Sequence, residues 1–177
     1  FKMVSAVTGL ETGAISDSTV FHDDVVFTKA GNPPSSCWNK SGHGNVNVVS
    51  ALEESCNYFF FETLYKLGNS KTNNKMNSIA QLNKYMSLFA PDEPTGVEIG
   101  EASKNRGKSP LNMSSPEFKE MSFASNLYET SEWVDGDTIR TAMGQGFNNF
   151  SPAVMCRYIS IIANRGEKYD FHLLNRM

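Results

Sequence analysis

Long apolar runs, clustered basic residues and an even set of cysteines are all missing from this sequence, and each absence removes a class of function. No run approaches the roughly 18 apolar residues of a membrane-spanning helix. No block of lysine and arginine exists; 16 basic and 19 acidic side chains leave a net charge of -3. Nucleic acid is therefore excluded as an expected partner. No stretch has the order of charged, apolar and small residues that marks a secretory signal. The three cysteines, Cys37, Cys56 and Cys156, are too few and odd in number for a disulfide framework. They leave open a cytosolic protein, a metal site, or export from a cell that makes few disulfides. What remains is a globular composition, 40% hydrophobic over 177 residues. That is enough for one domain with a real core, or for part of a larger one. The sequence opens on Phe1 rather than methionine, so the natural N-terminus is expected upstream.

Helical periodicity dominates. Phe1, Val4, Val7 and Leu10 recur at helical spacing from the first residue, with no cap before them and Gly13 as a stop. Thr19 to Phe27 reads as a strand or extended segment. Gly31 to Ser36 and Ser41 to Gly44 are turns by composition. Asn47 caps a short helix over Val48 to Glu54. Tyr58 to Leu67 is a helix apolar nearly all round, which must be buried, and Gly68 ends it. Met76, Ile79, Leu82, Met86 and Phe89 form one further amphipathic stripe. Gly100 to Glu132 is polar and broken by Pro110 and Pro116, which predicts an irregular excursion with short helical pieces. Asp137 to Met143 is a short helix stopped by Gly144-Gln145-Gly146. Ser151-Pro152 starts another, with Met155, Tyr158, Ile159 and Ile162 facing inward and Gly166 closing it. The expected fold class is mainly α, with five or six helices and little strand.

The chemistry concentrates in Ser55-Cys56-Asn57, set at the mouth of the buried helix. Polar groups so close to a core need hydrogen-bond partners or serve a reaction. Ser55 and Asn57 are also good caps for the aromatic helix that follows. Lys2 stands early in the first helix. A serine three residues before it would lie one turn away on the same face, and a buried lysine there can be held neutral to take that serine's proton. Such a serine would precede Phe1.

Several stretches together carry a resemblance. Phe1-Lys2-Met3-Val4 through Glu11, then Cys37-Trp38, Gly42-His43-Gly44, Ala51-Leu52 and Ser55-Cys56-Asn57 come first. They are followed in order by Thr95-Gly96-Val97-Glu98-Ile99, Gly144-Gln145-Gly146, Ser151-Pro152 and Ile161 through Gly166. This succession resembles the class B penicillin-binding proteins, the serine D,D-transpeptidases of bacterial cell-wall synthesis. It runs nearly end to end and is weakest between Gly100 and Glu132. The resemblance implies that residues 1–177 are the helical part of a single α/β transpeptidase domain. The chain would be truncated at both ends, with the flanking sheet, the nucleophilic serine and the Lys-Thr/Ser-Gly motif outside it. It implies Lys2 as general base, Ser55 as proton relay and Asn57 as hydrogen-bonding group for substrate and Lys2. The implied substrate is the D-Ala-D-Ala end of a peptidoglycan stem peptide, and β-lactams would acylate the same serine. A membrane glycosyltransferase partner and a single N-terminal membrane anchor, with this part outside the cytoplasmic membrane, follow from the same likeness. A β-lactam sensor or β-lactamase of the same fold is the alternative, and a non-catalytic zinc-binding scaffold is a second.

Cys37, His43 and Cys56 form a separate constellation. With one carboxylate they would complete a tetrahedral zinc shell. Asp23 is preferred to Asp24, because it shares its side of an extended segment with the inward-facing Phe21. A Cys37–Cys56 disulfide and two packed free thiols are the rival readings. Cys156 is expected to pack in its helix, Glu53 and Glu54 to be a solvated face, Trp38 and Trp133 to anchor loops on the core, and His172 to follow a turn.

Overall fold

The computed structural model describes residues 1–69, 75–91, 93–98, 113–125, 127 and 129–174. Among them are seven helices: α1 (Lys2–Glu11), α2 (Val48–Glu53), α3 (Asn57–Asn69), α4 (Lys75–Ser87), α5 (Pro116–Ala124), α6 (Asp135–Ala142) and α7 (Pro152–Ala163). Four short strands accompany them: β1 (Phe21–Asp23), β2 (Val26–Phe27), β3 (Ser35–Ser36) and β4 (Gly44–Val46). The chain is helix-rich, as the periodicity predicts. It divides into two compact units, one of Phe1–Tyr85 with Ser114–Asn148, the other of Met86–Met113 with Asn149–Met177.

The first unit is built round α3. Phe59, Phe60, Phe61 and Leu64 are wholly buried, as a helix apolar on all sides requires. Each such side chain contributes about 1.5–3 kcal/mol of burial. Phe21 of β1 lays its ring against Phe59 at 5.2 Å, and Phe27 of β2 meets Tyr58, Phe61 and Tyr65. Helix α1 comes so close to α3 that a Cβ on Gly9 would sit 2.6 Å from the Thr63 methyl. Buried Val4 on α1, and Ile139 and Ala142 on α6, add to this core. The Ser5 hydroxyl donates to the Ala142 carbonyl at 2.6 Å. Lys119 of α5, almost wholly buried, is neutralised by Asp137 of α6 at 2.8 Å and also donates to the Glu132 carbonyl. That pairing is what a buried cation needs.

Thr19 to Phe27 is not one strand. Val25 adopts a left-handed conformation, φ 68°, and splits the segment into β1, which pairs antiparallel with β4, and β2, which pairs with β3. Helix α2 carries the expected Asn47 cap, with Ser50 completing a capping box. Trp133 does anchor its loop, on Phe147 and the Thr138 hydroxyl. Trp38 does not reach the core; it is 59% exposed.

In the second unit Arg157 decides the packing of α7. Its guanidinium is buried and donates to the carbonyls of Ala90, Glu93 and Pro94, and Tyr158 stacks on Phe89. Drawing Arg157 inward shifts the buried stripe to Val154, Arg157, Tyr158 and Ile161. Ile159 and Ile162, expected inside, are therefore exposed, and so is Cys156, which does not pack. Of the α4 stripe, Ile79, Leu82 and Met86 are buried, while the Met76 side chain lies outside the described residues. In the predicted excursion from Gly100 to Glu132, α5 is the helical piece seen, capped by Ser115 ahead of Pro116. Residues 101–112 lie outside the described residues. His172 follows the chain's return along Thr95 and faces Glu98 at 3.5 Å.

Candidate functional site

Lys2, Ser55 and Asn57 come together although more than fifty residues separate the first from the others. The Lys2 amine donates to the Ser55 carbonyl at 2.5 Å, the Ser55 hydroxyl at 2.7 Å and the Asn57 side-chain oxygen at 2.7 Å. The amine also lies 5.9 Å from the centroid of the Phe60 ring. Three acceptors match the three protons of an ammonium. They also suit a neutral amine, which can donate to the carbonyl and the amide oxygen while taking the Ser55 hydroxyl proton into its lone pair. Burial lowers the Lys2 pKa from that of an ordinary amine, against an opposing pull from Cys37 and Cys56. The shift makes the neutral amine easier to reach than it is for a solvated lysine.

Helix α2 ends in a reversal that aims Ser55. The Cys56 N–H returns to the Ala51 carbonyl at 2.9 Å and the Ser55 N–H to Leu52 at 3.3 Å. This is the double bond pattern of a Schellman stop, whose left-handed position is usually glycine. Here it is Ser55, φ 53°, at a cost of about 1 kcal/mol. Its carbonyl is held from two sides, by Lys2 and by the Trp38 indole N–H at 3.0 Å. The turn then leads straight into α3. Among the described residues the Ser55 hydroxyl and the Asn57 side-chain oxygen face Lys2 rather than capping α3. The Phe59 backbone N–H instead reaches the Cys56 sulfur.

Behind the turn, one ligand atom each from Asp23, Cys37, His43 and Cys56 lies within 4.8 Å of every other. His43 Nδ1 is 2.6 Å from Asp23 Oδ2 and 3.5 Å from Cys37 Sγ, and Cys56 Sγ is 3.4 Å from Asp23 Oδ2. Asp24 points away, to the Tyr58 hydroxyl at 3.3 Å. Backbone geometry fixes Asp23 in place. Its Oδ1 accepts from the Val25 N–H at 2.9 Å and its Oδ2 from the His43 N–H at 3.2 Å. Burial pushes the Asp23 carboxyl up, but donors from His43, Cys37, Val25 and Cys56 outweigh it and hold the pKa below the usual value. Burial, with the charges of Cys37 and Asp23 added, pushes the Cys56 thiol up to about 12. Both thiols are free rather than joined. The two centres touch through the chain itself, since the Asn57 N–H lies 3.4 Å from Cys37 Sγ.

Two residues, expected as a loop anchor and a solvated acid, stand against His43 instead. Trp38 lays its ring edge-on to His43, centroids 5.3 Å apart, while its N–H holds the turn. Glu54 is exposed as expected, yet its carboxylate lies 3.9 Å from His43 Nε2. Only their position beside Cys37 and Ser55 could have pointed to either. Gly144 has a visible reason: at φ 85° it lies so close to Phe1 that an added Cβ would sit 2.4 Å from the Phe1 Cβ. The Gly-Gln-Gly turn thus backs the start of α1 directly beside Lys2.

The penicillin binding protein transpeptidase domain matches residues 1–177, and the chain belongs to that family. It is 30% identical to the peptidoglycan D,D-transpeptidase MrdA of Escherichia coli over 174 residues, 98% of this chain and 24% of the relative. The MrdA of Haemophilus influenzae is 28% identical over 137 residues, 77% of this chain and 18% of that one. Among solved structures, the complex of PBP2 and MreC from Helicobacter pylori matches with a TM-score of 0.76 at 26% identity, covering 97% of this chain and 28% of that chain. The chain thus spans about a quarter of the length of the curated relatives it matches.

Proposed function

We propose that this chain is the helical part of a serine peptidoglycan D,D-transpeptidase, whose sheet, nucleophile and third motif lie elsewhere in the longer protein. The observation that carries the reading is the Lys2 amine, 2.7 Å from both the Ser55 hydroxyl and the Asn57 oxygen. A base within hydrogen-bond reach of a relay, itself oriented by a third group, is the arrangement that activates a nucleophile.

The steps follow from the three side chains. Neutral Lys2 takes the proton of a serine hydroxyl one helical turn ahead of it. The serine oxygen bonds to the carbonyl carbon of the penultimate D-alanine, and the bond to the terminal D-alanine breaks. The leaving amine takes a proton from the Ser55 hydroxyl, which recovers one from the Lys2 ammonium. An amine of a neighbouring strand then attacks the ester, returning its proton through Ser55, and the serine is released as its alcohol. Asn57 holds Lys2 and offers its amide N–H to the acyl chain. A β-lactam follows the first steps, but its amine stays tethered and the ester persists.

A zinc ion belongs to the same reading. Two sulfurs, an imidazole and a carboxylate suit it, and zinc bonds of about 2.0–2.3 Å imply ligand edges of roughly 3.3–3.8 Å. The 3.5 Å and 3.4 Å separations at Cys37–His43 and Cys56–Asp23 support the fit, while the His43–Asp23 pair, hydrogen-bonded at 2.6 Å, would have to open by roughly 0.7 Å to admit the ion. The ion would supply a cross-link between the β1 segment, the Cys37 loop and the turn that carries Ser55. No step of acyl transfer passes through it. By the same likeness the intact protein is membrane-anchored, acts outside the cytoplasmic membrane and works with a glycosyltransferase. The MreC complex of the Helicobacter pylori relative supports a role within a wall-building assembly.

The test is acylation of the full-length protein by a fluorescent penicillin. Lys2→Ala, Ser55→Ala and Asn57→Ala should each slow it by about 10²–10⁴-fold with the fold retained. Labelling of Lys2→Ala at the wild-type rate would overturn the assignment.

A further inference from the structure

His43 leaves one ring nitrogen unexplained. The side chain is 2% exposed, and Nδ1 is turned into the cluster, 2.6 Å from Asp23 Oδ2 and 3.5 Å from Cys37 Sγ. Nε2 is buried and has no hydrogen-bond partner among the described residues. A buried ring nitrogen without a partner costs about 1–3 kcal/mol, and once a metal takes Nδ1 this atom carries the ring's proton and needs an acceptor. The carboxylate facing it is Glu54, with Oε2 at 3.9 Å. That gap exceeds a hydrogen bond by less than 1 Å, and the Glu54 side chain is 48% exposed.

We propose that Glu54 is the carboxylate that accepts the His43 Nε2 proton when His43 Nδ1 ligates a metal, and so is a positioning residue for the metal centre. The proposal rests on the zinc reading above. A metal on Nδ1 leaves the neutral imidazole's single proton on Nε2, so the tautomer is fixed and the proton needs an acceptor. A carboxylate there orients the ring and makes its other nitrogen a stronger ligand. The position of Glu54 in the chain gives the interaction a second consequence. Glu54 is the C-cap of α2 and immediately precedes Ser55, and its own carbonyl accepts from the Trp38 indole at 3.3 Å. Drawing the Glu54 side chain onto His43 thus fixes the residue before the left-handed turn from the metal side, while Trp38 and Lys2 hold the turn through backbone carbonyls.

The test measures zinc affinity of the full-length protein by competition with a chromophoric chelator. Glu54→Ala should weaken binding by about 10–100-fold, with Glu54→Gln, which keeps an acceptor oxygen, in between. Glu53→Ala removes the same charge one residue away and should leave the affinity unchanged. In the zinc-bound wild type, nitrogen-detected histidine spectra should show His43 protonated on Nε2, and that proton should exchange faster with solvent in Glu54→Ala. Wild-type zinc that binds equally tightly in Glu54→Ala overturns the role of Glu54 and leaves the zinc reading standing. A wild-type protein that binds no zinc overturns both.

Discussion

Ser55 is asked to do two things that conflict. Its hydroxyl must face Lys2, and its backbone must turn through a left-handed conformation that a side chain resists. Glycine would relieve the turn but carries no hydroxyl. Ser55→Gly should therefore be more stable than Ser55→Ala by about 1 kcal/mol, seen as a difference of roughly 2–4 °C in unfolding temperature, while both acylate about 10²–10⁴-fold more slowly than the wild type. Equal stability of the two variants would mean the turn is not strained. Lys2 sets a pH dependence at the same scale. Its folded pKa is lowered by burial, so the unfolded state binds more protons between the folded value and about 10.4. Lys2 then contributes stability that is present above its unfolded pKa and lost as pH falls through its folded pKa. The acylation rate should fall on the acid side at that same folded pKa, below the range of a free lysine. A rate limb at the free-lysine value in a pH profile would contradict this.

Helices were the legible elements. Lys2 at the start of α1, the all-round apolar α3 and the Asn47 cap of α2 were readable because helical period and cap chemistry are local signals. What was not readable needed three dimensions. The break at Val25 depends on the Val25 N–H donating to Asp23 Oδ1 and on the Cys37 N–H donating to the Val25 carbonyl at 2.7 Å, and Cys37 is twelve residues further on. The outward turn of Ile159 and Ile162 follows from Arg157 finding three carbonyls in another segment, against its polar character. Likewise, sequence order could suggest Asp23, Cys37, His43 and Cys56 but not the distances between them. The close pass of α1 over α3 gives a prediction for elements. Gly9→Val would drive methyls into Thr63 and Ile15 and should cost about 1–3 kcal/mol. It would also loosen the helix that presents Lys2, lowering unfolding temperature and acylation rate together. An unchanged unfolding temperature would show that the two helices can move apart freely.

Across the molecule, the first unit holds both centres on one short turn. Cys56 stands between Ser55 and Asn57, so whatever the cluster binds is one residue from each of the two side chains that hold the Lys2 amine. Removal of metal with a strong chelator should lower the unfolding temperature and slow penicillin acylation, and added zinc should restore both. Metal-free protein with full stability and rate would break the connection. The second unit carries α7, which the buried Arg157 ties to the carbonyls of Ala90, Glu93 and Pro94 in the segment that leads to Thr95. Arg157→Met would leave the carbonyls of Ala90, Glu93 and Pro94 without their shared donor and should destabilise by about 1–3 kcal/mol, read by denaturant unfolding.

The transfer reaction itself bears most directly on the account. The full-length protein is incubated with a stem pentapeptide ending in D-Ala-D-Ala and an excess of a labelled D-amino acid as acceptor, and the products are followed by mass spectrometry. Free D-alanine should appear in step with a peptide whose last residue is the label, and Lys2→Ala should form both at least about 10²-fold more slowly. Release of D-alanine with only the shortened peptide formed, or equal transfer by Lys2→Ala, would contradict it.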